Sequence, residues 1–443
     1  VRIVRGADEG LRTLLKRVPL EDPELPPAVR QEIRRVFGAE LDAAGVVDRI
    51  LAGVRHNGDR AVRRFNQEFD RVPPEAPLEV SRDEVMKAYE ETKPGLVEAL
   101  KQAAGRIRAF HELQLEHSLR SFEAGGVGQQ VRPIERVGLY VPGTAVVYPS
   151  TVLMLALPAR VAGVSELIMA TPAAPDGSVS AVKLVAADIG GVGRVFRAGG
   201  VQGIGAMAYG TETVPRVHKI CGPGNIFATL AKKRLYGEVG IDGIFGPSET
   251  LVVADASADP GLVAADMLAA AEHDHLATSL LITDSAALAS AVSERAEARL
   301  PGLARADVAR ASLEARGGAV IVGSIEEAVR LASDFAPEHL CIHAERAAEL
   351  AALVRNAGAV FAGAHSVESI GDYTAGPSHV MPTGGSAIFA SPLGVHDFLK
   401  VTSVVRLHQE LVDDIGPPAA AIARAEGLTG HAESIMARLK DKK

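Results

Sequence analysis

Val137-Gly138-Leu139-Tyr140-Val141-Pro142-Gly143 opens a run, ending at Ala159, that carries no charged residue. Its length and apolarity imitate a membrane span. Pro142, Pro149 and Pro158 interrupt it, as do Gly138 and Gly143. A spanning helix broken that often cannot satisfy its own backbone in lipid. The run therefore reads as a buried strand, a turn and a helix. Val137–Val141, Glu166–Thr171, Arg194–Ala198 and Lys219–Cys221 repeat the strand pattern. Thr151–Ala162 and Ser178–Ile189 supply helical stretches between them. Strand alternating with helix specifies an α/β unit with a parallel sheet.

A second series of the same kind begins near 250. Its strands are Thr250–Ala254, Leu280–Thr283, Ala319–Val322, Leu340–Ile342 and Ala359–Ala362. Pro260–Glu272, Ala286–Leu303, Ile325–Phe335 and Ala344–Ala357 are its helices. Upstream, Val46–Phe65 and Ser81–Leu119 carry apolar residues at three-and-four spacing, so the first 125 residues read as mostly helical. Pro73, Pro74 and Pro77 mark a connection holding a short strand. Residues 364–400 are loop-rich and 407–439 helical. The expected fold class is α/β, with two α/β units, parallel-rich sheets and helical segments at both ends. No Pro/Ser linker separates the units, so they are expected to pack tightly.

The 443 residues are long enough for two or three cores. A net charge of −8 and the absence of basic runs argue against nucleic acid. Two cysteines, Cys221 and Cys341, cannot build a disulfide framework and suit a reducing cytoplasm. Charged residues near the N-terminus, Arg2, Arg5, Asp8 and Glu9, do not suit a signal peptide.

Chemistry concentrates late in the chain. Phe335-Ala336-Pro337-Glu338-His339-Leu340 sets a carboxylate beside an imidazole at a strand entrance. Pro337 biases Ala336 towards extended backbone. Strand alternation points the two side chains apart, each free for its own proton transfer. Nine of the thirteen histidines lie between 273 and 431. His273, Asp372 and His431 are candidate zinc ligands by donor type, with His275 and His379 in reserve. A plain cap for helix carbonyls is the competing role for His273. Gly203-Ile204-Gly205-Ala206-Met207-Ala208 resembles a dinucleotide fingerprint but lacks the acidic residue about 20 positions on. Tyr140–Gly143 and Gly222–Asn225 are turns after strands, where α/β sheets bind ligands. Cys221, beside Lys219 and His218, reads as a buried apolar cysteine rather than a nucleophile.

Taken together, Val137–Gly143, Gly199–Glu212, Gly222–Asn225, Gly246–Glu249, Ala271–Asp274, Pro337–Leu340, Gly371–Thr383 and Leu428–His431 resemble the histidinol dehydrogenase family over nearly the whole chain. That resemblance implies oxidation of L-histidinol to L-histidine through a bound aldehyde, using two NAD in turn and one zinc. It makes Glu338 and His339 the acid/base pair. It makes His273, Asp372 and His431 the zinc ligands, and Ser248, His379 and Glu426 substrate contacts alongside Asp372 and His431. Tyr140, Gln202 and Asn225 match positions that touch NAD.

The same resemblance implies a cytoplasmic homodimer whose C-terminal tail supplies Glu426 and His431 to the partner, with no membrane or nucleic-acid role. The domains it implies are a helical segment (1–25), a first α/β domain (26–129 with 242–380), an incomplete Rossmann-like NAD domain (130–241) and a dimerising tail (381–443). One position departs from the family. Its fourth zinc ligand is a glutamine three residues before the helix histidine, and here that residue is Ala270. A methyl offers no donor, so weaker zinc binding is expected. The rival readings are a dehydrogenase of another polar alcohol such as a dihydroxypropanesulfonate, a zinc hydrolase with Glu338 as base, and an inactive paralogue. Glu426 would repel a sulfonate.

Overall fold

Short runs of valine, leucine and isoleucine with no polar alternation suit strands covered on both faces. The computed structural model, which describes residues 2–17, 25–143 and 146–440, places them so. In chain order the strands are β1 (Ile3–Arg5), β2 (Phe122–Ala124), β3 (Val127–Pro133), β4 (Arg136–Tyr140), β5 (Glu166–Thr171), β6 (Arg194–Arg197), β7 (Lys219–Cys221) and β8 (Gly240–Ile241). They continue with β9 (Glu249–Ala254), β10 (Thr278–Thr283), β11 (Gly317–Ile321), β12 (His339–His343), β13 (Ala359–Ala362) and β14 (Leu399–Val405). β4–β8 form a five-stranded sheet in the order β6-β5-β4-β7-β8. β9–β13 with β1 form a six-stranded sheet in the order β1-β11-β10-β9-β12-β13. Every pairing in both is parallel.

Both sheets share one plan. The first strand lies at the centre, the second and third run outward to one side, and the fourth and fifth lie on the other. That is the doubly wound order, with its switch point between β4 and β7 in one sheet and between β9 and β12 in the other. The apolar run that opened the sequence is β4, a turn, and helix Pro149–Val161. No described helix is long and apolar enough to cross a membrane.

Three expectations need correction. Residues 1–25 do not form a purely helical segment. Ile3–Arg5 pairs with Ala319–Ile321 as an edge strand, helix follows only over Ala7–Arg12, and 18–24 lie outside the described residues. Residues 26–116 pack mainly on the five-stranded unit rather than on the six-stranded one, although helix Pro94–Glu116 also meets the 242–380 part, where Arg106 donates to the Thr374 carbonyl at 2.7 Å. The apolar stripe Val46, Val47, Ile50, Leu51 and Val54 of helix Ala43–Phe65 is buried against Ile168, Ile204 and Met207 of the five-stranded unit. Helix Pro94–Glu116 joins the core on the other face through Leu100, Ala104 and Ile107. An amphipathic stripe says that a helix covers a sheet, not which one. Residues 381–443 hold more than loop and helix, since β14 pairs antiparallel with β3.

Smaller differences follow from local chemistry. The helical run Ser81–Leu119 breaks at Thr92, because Pro94 starts a new helix and restricts Lys93. Helix Ala306–Arg316 was not expected, and Ala344–Ala357 is helical only over Ala347–Ala351.

Candidate active site and metal centre

Helix Ile325–Phe335 ends on Ala336, which is left-handed at φ 49° rather than extended. For a residue with a Cβ that conformation costs about 1–2 kcal/mol. Arg17 holds the corner. Its guanidinium donates to the carbonyls of Phe335 and Ala336, stacks 4.1 Å from the Phe335 ring centroid, and ion-pairs with Glu249 at 2.7 Å. Pro337 and Glu338 then lead into β12, whose first residue is His339.

Because Glu338 precedes the strand, its side chain does not point away from His339 as alternation would require. Glu338 Oε2 lies 3.7 Å from His339 Nδ1 and accepts from the Glu249 amide at 3.0 Å. Burial pushes the Glu338 carboxyl up to about 8, against the opposing pull of His339.

His339 is surrounded by acid. Its Nδ1 is 3.6 Å from Glu368 Oε1, and its Nε2 is 3.6 Å from Asp372 Oδ1. Burial works to lower its pKa, but Glu368, Glu338 and Asp372 outweigh that and raise it to about 10. Among the described residues neither ring nitrogen has a hydrogen-bond partner, and neither does Asp372 Oδ1. Three buried polar atoms left unpaired together mark a place built for something else to bind.

Glu368 was not anticipated. It accepts from Thr250 Oγ1 at 2.9–3.0 Å and faces Cys341. Its signal was present in the spacing, four residues before Asp372 in the short helical run Glu368–Ala375. Burial raises Asp372's pKa, but His339, His379 and His273 overcome that and hold it below the usual carboxylate range. His379 Nδ1 meets the Asp372 carbonyl at 2.8 Å, and Nε2 meets Thr151 Oγ1 at 3.1 Å. Burial lowers the His379 pKa against the attraction of Asp372.

His273 lies just beyond helix Pro260–Ala271 with an exposed edge. Packing around its ring lowers its pKa, and it feels both Asp372 and His339. The helix has ended before His275, which is exposed. Ala270 is buried at 1 % exposure, with only a methyl at the position expected to be a ligand.

These donors suit a cation, on the strength of the orphaned Asp372 oxygen and the neutral imidazoles around it. The tightest triad of donors differs from the expected one. His339, Glu368 and Asp372 offer ligand atoms within 4.8 Å of one another. His431 and Glu426 do not join it within one chain. Their tail packs on itself through Ala420, Ala423 and Ala432 and leaves both exposed. Ser248 precedes β9 at the same edge, half-buried.

The cofactor candidates gather at the other sheet's switch point. Tyr140 ends β4, and its hydroxyl accepts from the Gly200 amide at 3.0 Å. Gln202 donates to Asn66, which in turn donates to the Arg197 carbonyl. Asn225 caps helix Ile226–Leu235 by accepting from the amides of Phe227 and Ala228. Gly203–Ala208 lies inside helix Gly200–Tyr209, not in a phosphate turn. Its glycines allow close packing, against the Ala198 carbonyl and Leu51. Burial pushes the Cys221 thiol up, so it is no nucleophile. Helix Pro149–Val161 joins the two sites, starting just after the turn following β4 and carrying Thr151 to His379.

Residues 34–439 match the family model for histidinol dehydrogenase. The chain belongs to the histidinol dehydrogenase family. Among its relatives, the histidinol dehydrogenase of Dehalococcoides mccartyi (strain CBDB1) is 44 % identical over 99 % of this chain and all of its own length. That of Methylococcus capsulatus is 46 % identical over 92 % of this chain and 99 % of its own. The crystal structure of histidinol dehydrogenase from Elizabethkingia anophelis superposes with a TM-score of 0.88 at 31 % identity, covering 99 % and 97 % of the two chains. Membership makes the chain an oxidoreductase and does not favour the rival readings of a sulfonate dehydrogenase or a hydrolase.

Proposed function

We propose that this chain oxidises L-histidinol to L-histidine with two NAD in turn. The observation that carries the reading is His339, with both ring nitrogens unpaired among the described residues, standing between Glu338 and Asp372. In the first step hydride leaves the alcohol carbon for the nicotinamide, and His339 takes the hydroxyl proton. Water would then add to the bound aldehyde with Glu338 as its base, and His339, having released its first proton, would take the hydrate's hydroxyl proton as a second hydride passes to a second NAD. The surrounding carboxylates keep His339 protonated until positive charge arrives. A cationic substrate or ion at Asp372 relieves that field and frees the ring to accept a proton.

Zinc, when bound, anchors and polarises the substrate. His273 and Asp372 would hold it, with His431 from a second copy of the chain. Ser248, His379 and Glu426 are assigned to the substrate, and Tyr140, Gln202 and Asn225 to NAD. The chain is assigned to the cytoplasm as a homodimer. Mixing the protein with NAD and histidinol should yield two NADH per histidinol, read by near-ultraviolet absorbance. No NADH with zinc present would overturn the reading.

A further inference from the structure

The five-stranded sheet has the doubly wound order without the acid that this order normally uses. β5 ends in Thr171-Pro172-Ala173-Ala174, where the second strand of a dinucleotide unit would offer a carboxylate to the adenosine ribose. A carboxylate does reach that place, from a different part of the chain. Asp70 closes the helical turn Asn66–Asp70 in the N-terminal region. A Cβ on Gly199, just past β6, would stand 2.9 Å from Asp70 Oδ2 and 2.9 Å from Pro172 Cβ, just past β5. The Asp70 carboxylate thus lies over the ends of β5 and β6, close enough to Tyr140 at the end of β4 to act on its hydroxyl.

Nothing in the fold accounts for the Asp70 side chain. Among the described residues no hydrogen-bond donor or cation pairs with it, and it is only partly exposed. The groups around it are otherwise engaged. Asn66 and Gln202 bond to each other, and Asn66 also bonds to the Arg197 carbonyl. The Tyr140 hydroxyl accepts from Gly200 and keeps its own proton to donate.

We propose that Asp70 supplies the missing acid, accepting hydrogen bonds from the hydroxyls of the adenosine ribose and excluding a 2′-phosphate. The inference rests on the dehydrogenase reading and on the cofactor lying at this switch point. A carboxylate satisfies vicinal hydroxyl donors and repels a phosphate in the same position. An unpaired, half-buried carboxylate lowers stability, and burial lifts its pKa to about 6. Asp70→Asn is therefore expected to fold at least as stably as the parent, which keeps the test clean.

The test compares the parent with Asp70→Asn and Asp70→Ser, using both cofactors. The expected result is a rise in the KM for NAD of about 10-fold or more, the loss of a charge-assisted hydrogen bond. The preference for NAD over NADP should fall by at least as much, while kcat at saturating NAD and the KM for histidinol stay put. Fluorescence titration with NADH and NADPH should show the same exchange of preference without turnover. Equal changes for the two cofactors, or none, would overturn the role of Asp70. A parent protein that reduces no NAD would instead sink the dehydrogenase reading, while the binding titration would still judge Asp70.

Discussion

His339 carries the sharpest single-residue test, because two roles compete for it. It faces Glu338 as a proton acceptor would, yet it also belongs to the tightest triad of metal-type donors, with Glu368 and Asp372. His339→Asn should cut oxidation by about 10²- to 10⁴-fold, the usual contribution of a general base. Zinc content should stay the same. Loss of the metal in that variant would move His339 into the ligand set. Ala270 poses the complementary question. Its methyl offers no donor where the family resemblance implies one, and even an outer partner of a metal ligand is worth about 10- to 100-fold in affinity. Ala270→Gln should tighten zinc by at least the lower figure, measured by competition with a chelator. Unchanged affinity would show that position 270 does not face the ion. The juxtaposition of Glu338 and His339 before β12 was legible in the sequence, because acid beside base ahead of an apolar run is a recognisable arrangement. Arg17 and Asp70 were not. Each stands beside another charge in the sequence, Arg17 after Lys16 and Asp70 before Arg71, and its meaning lies in contacts more than a hundred residues away.

At the scale of elements, the turn after β4 depends on a buried lysine. Lys183, at 1 % exposure, donates to the carbonyls of Pro142 and Gly143 and to Thr171 Oγ1 at 2.8–3.1 Å. Its three donors are matched, but among the described residues no carboxylate pairs with it, and burial lowers its pKa to about 8. The sign follows from proton counting. Between about pH 8 and 10.5 the unfolded chain holds a proton on this lysine that the folded chain has released, so stability rises with pH across that window. The gain is at most about 3 kcal/mol. Lys183→Met should remove that slope relative to the parent, as read from denaturant unfolding at several pH values. Parallel curves for the two proteins would mean that the lysine is not depressed. The neighbouring turn is held differently. Lys232 pairs with Asp242 at 2.6 Å and donates to the Gly222 carbonyl, while Asp242 accepts from the Gly222 amide. Strands such as β9, β10 and β12 could be read from sequence because their apolar runs are uninterrupted. β14 could not, since Lys400, Thr402 and Ser403 alternate with valines that are themselves largely exposed.

Across the whole molecule, two sheets of one plan are used at opposite ends. The proposed cofactor residues Tyr140, Gln202 and Asn225 sit at or beyond the carboxyl ends of β4, β6 and β7, whereas Glu338, His339 and Ser248 sit at the amino ends of β12 and β9. Helix Pro149–Val161 links the two ends through Thr151 and His379, as the proposed oxidation requires. The tail is the part that one copy of the chain does not explain. Helices Gln409–Ala425 and Thr429–Met436 bury only a small alanine seam between themselves, and Glu426 and His431 face outward. If they serve a second copy, each active site takes His339 from one protomer and His431 from the other. A chain carrying His339→Asn and a chain carrying His431→Ala should then each be nearly inactive alone. Refolded together, they should form mixed dimers in which one of the two sites is intact. Random pairing makes half of all dimers mixed, so activity should recover to about a quarter of the parent's. Supply within one protomer leaves every site damaged and predicts no recovery, which assay of the mixture against each chain alone would show directly.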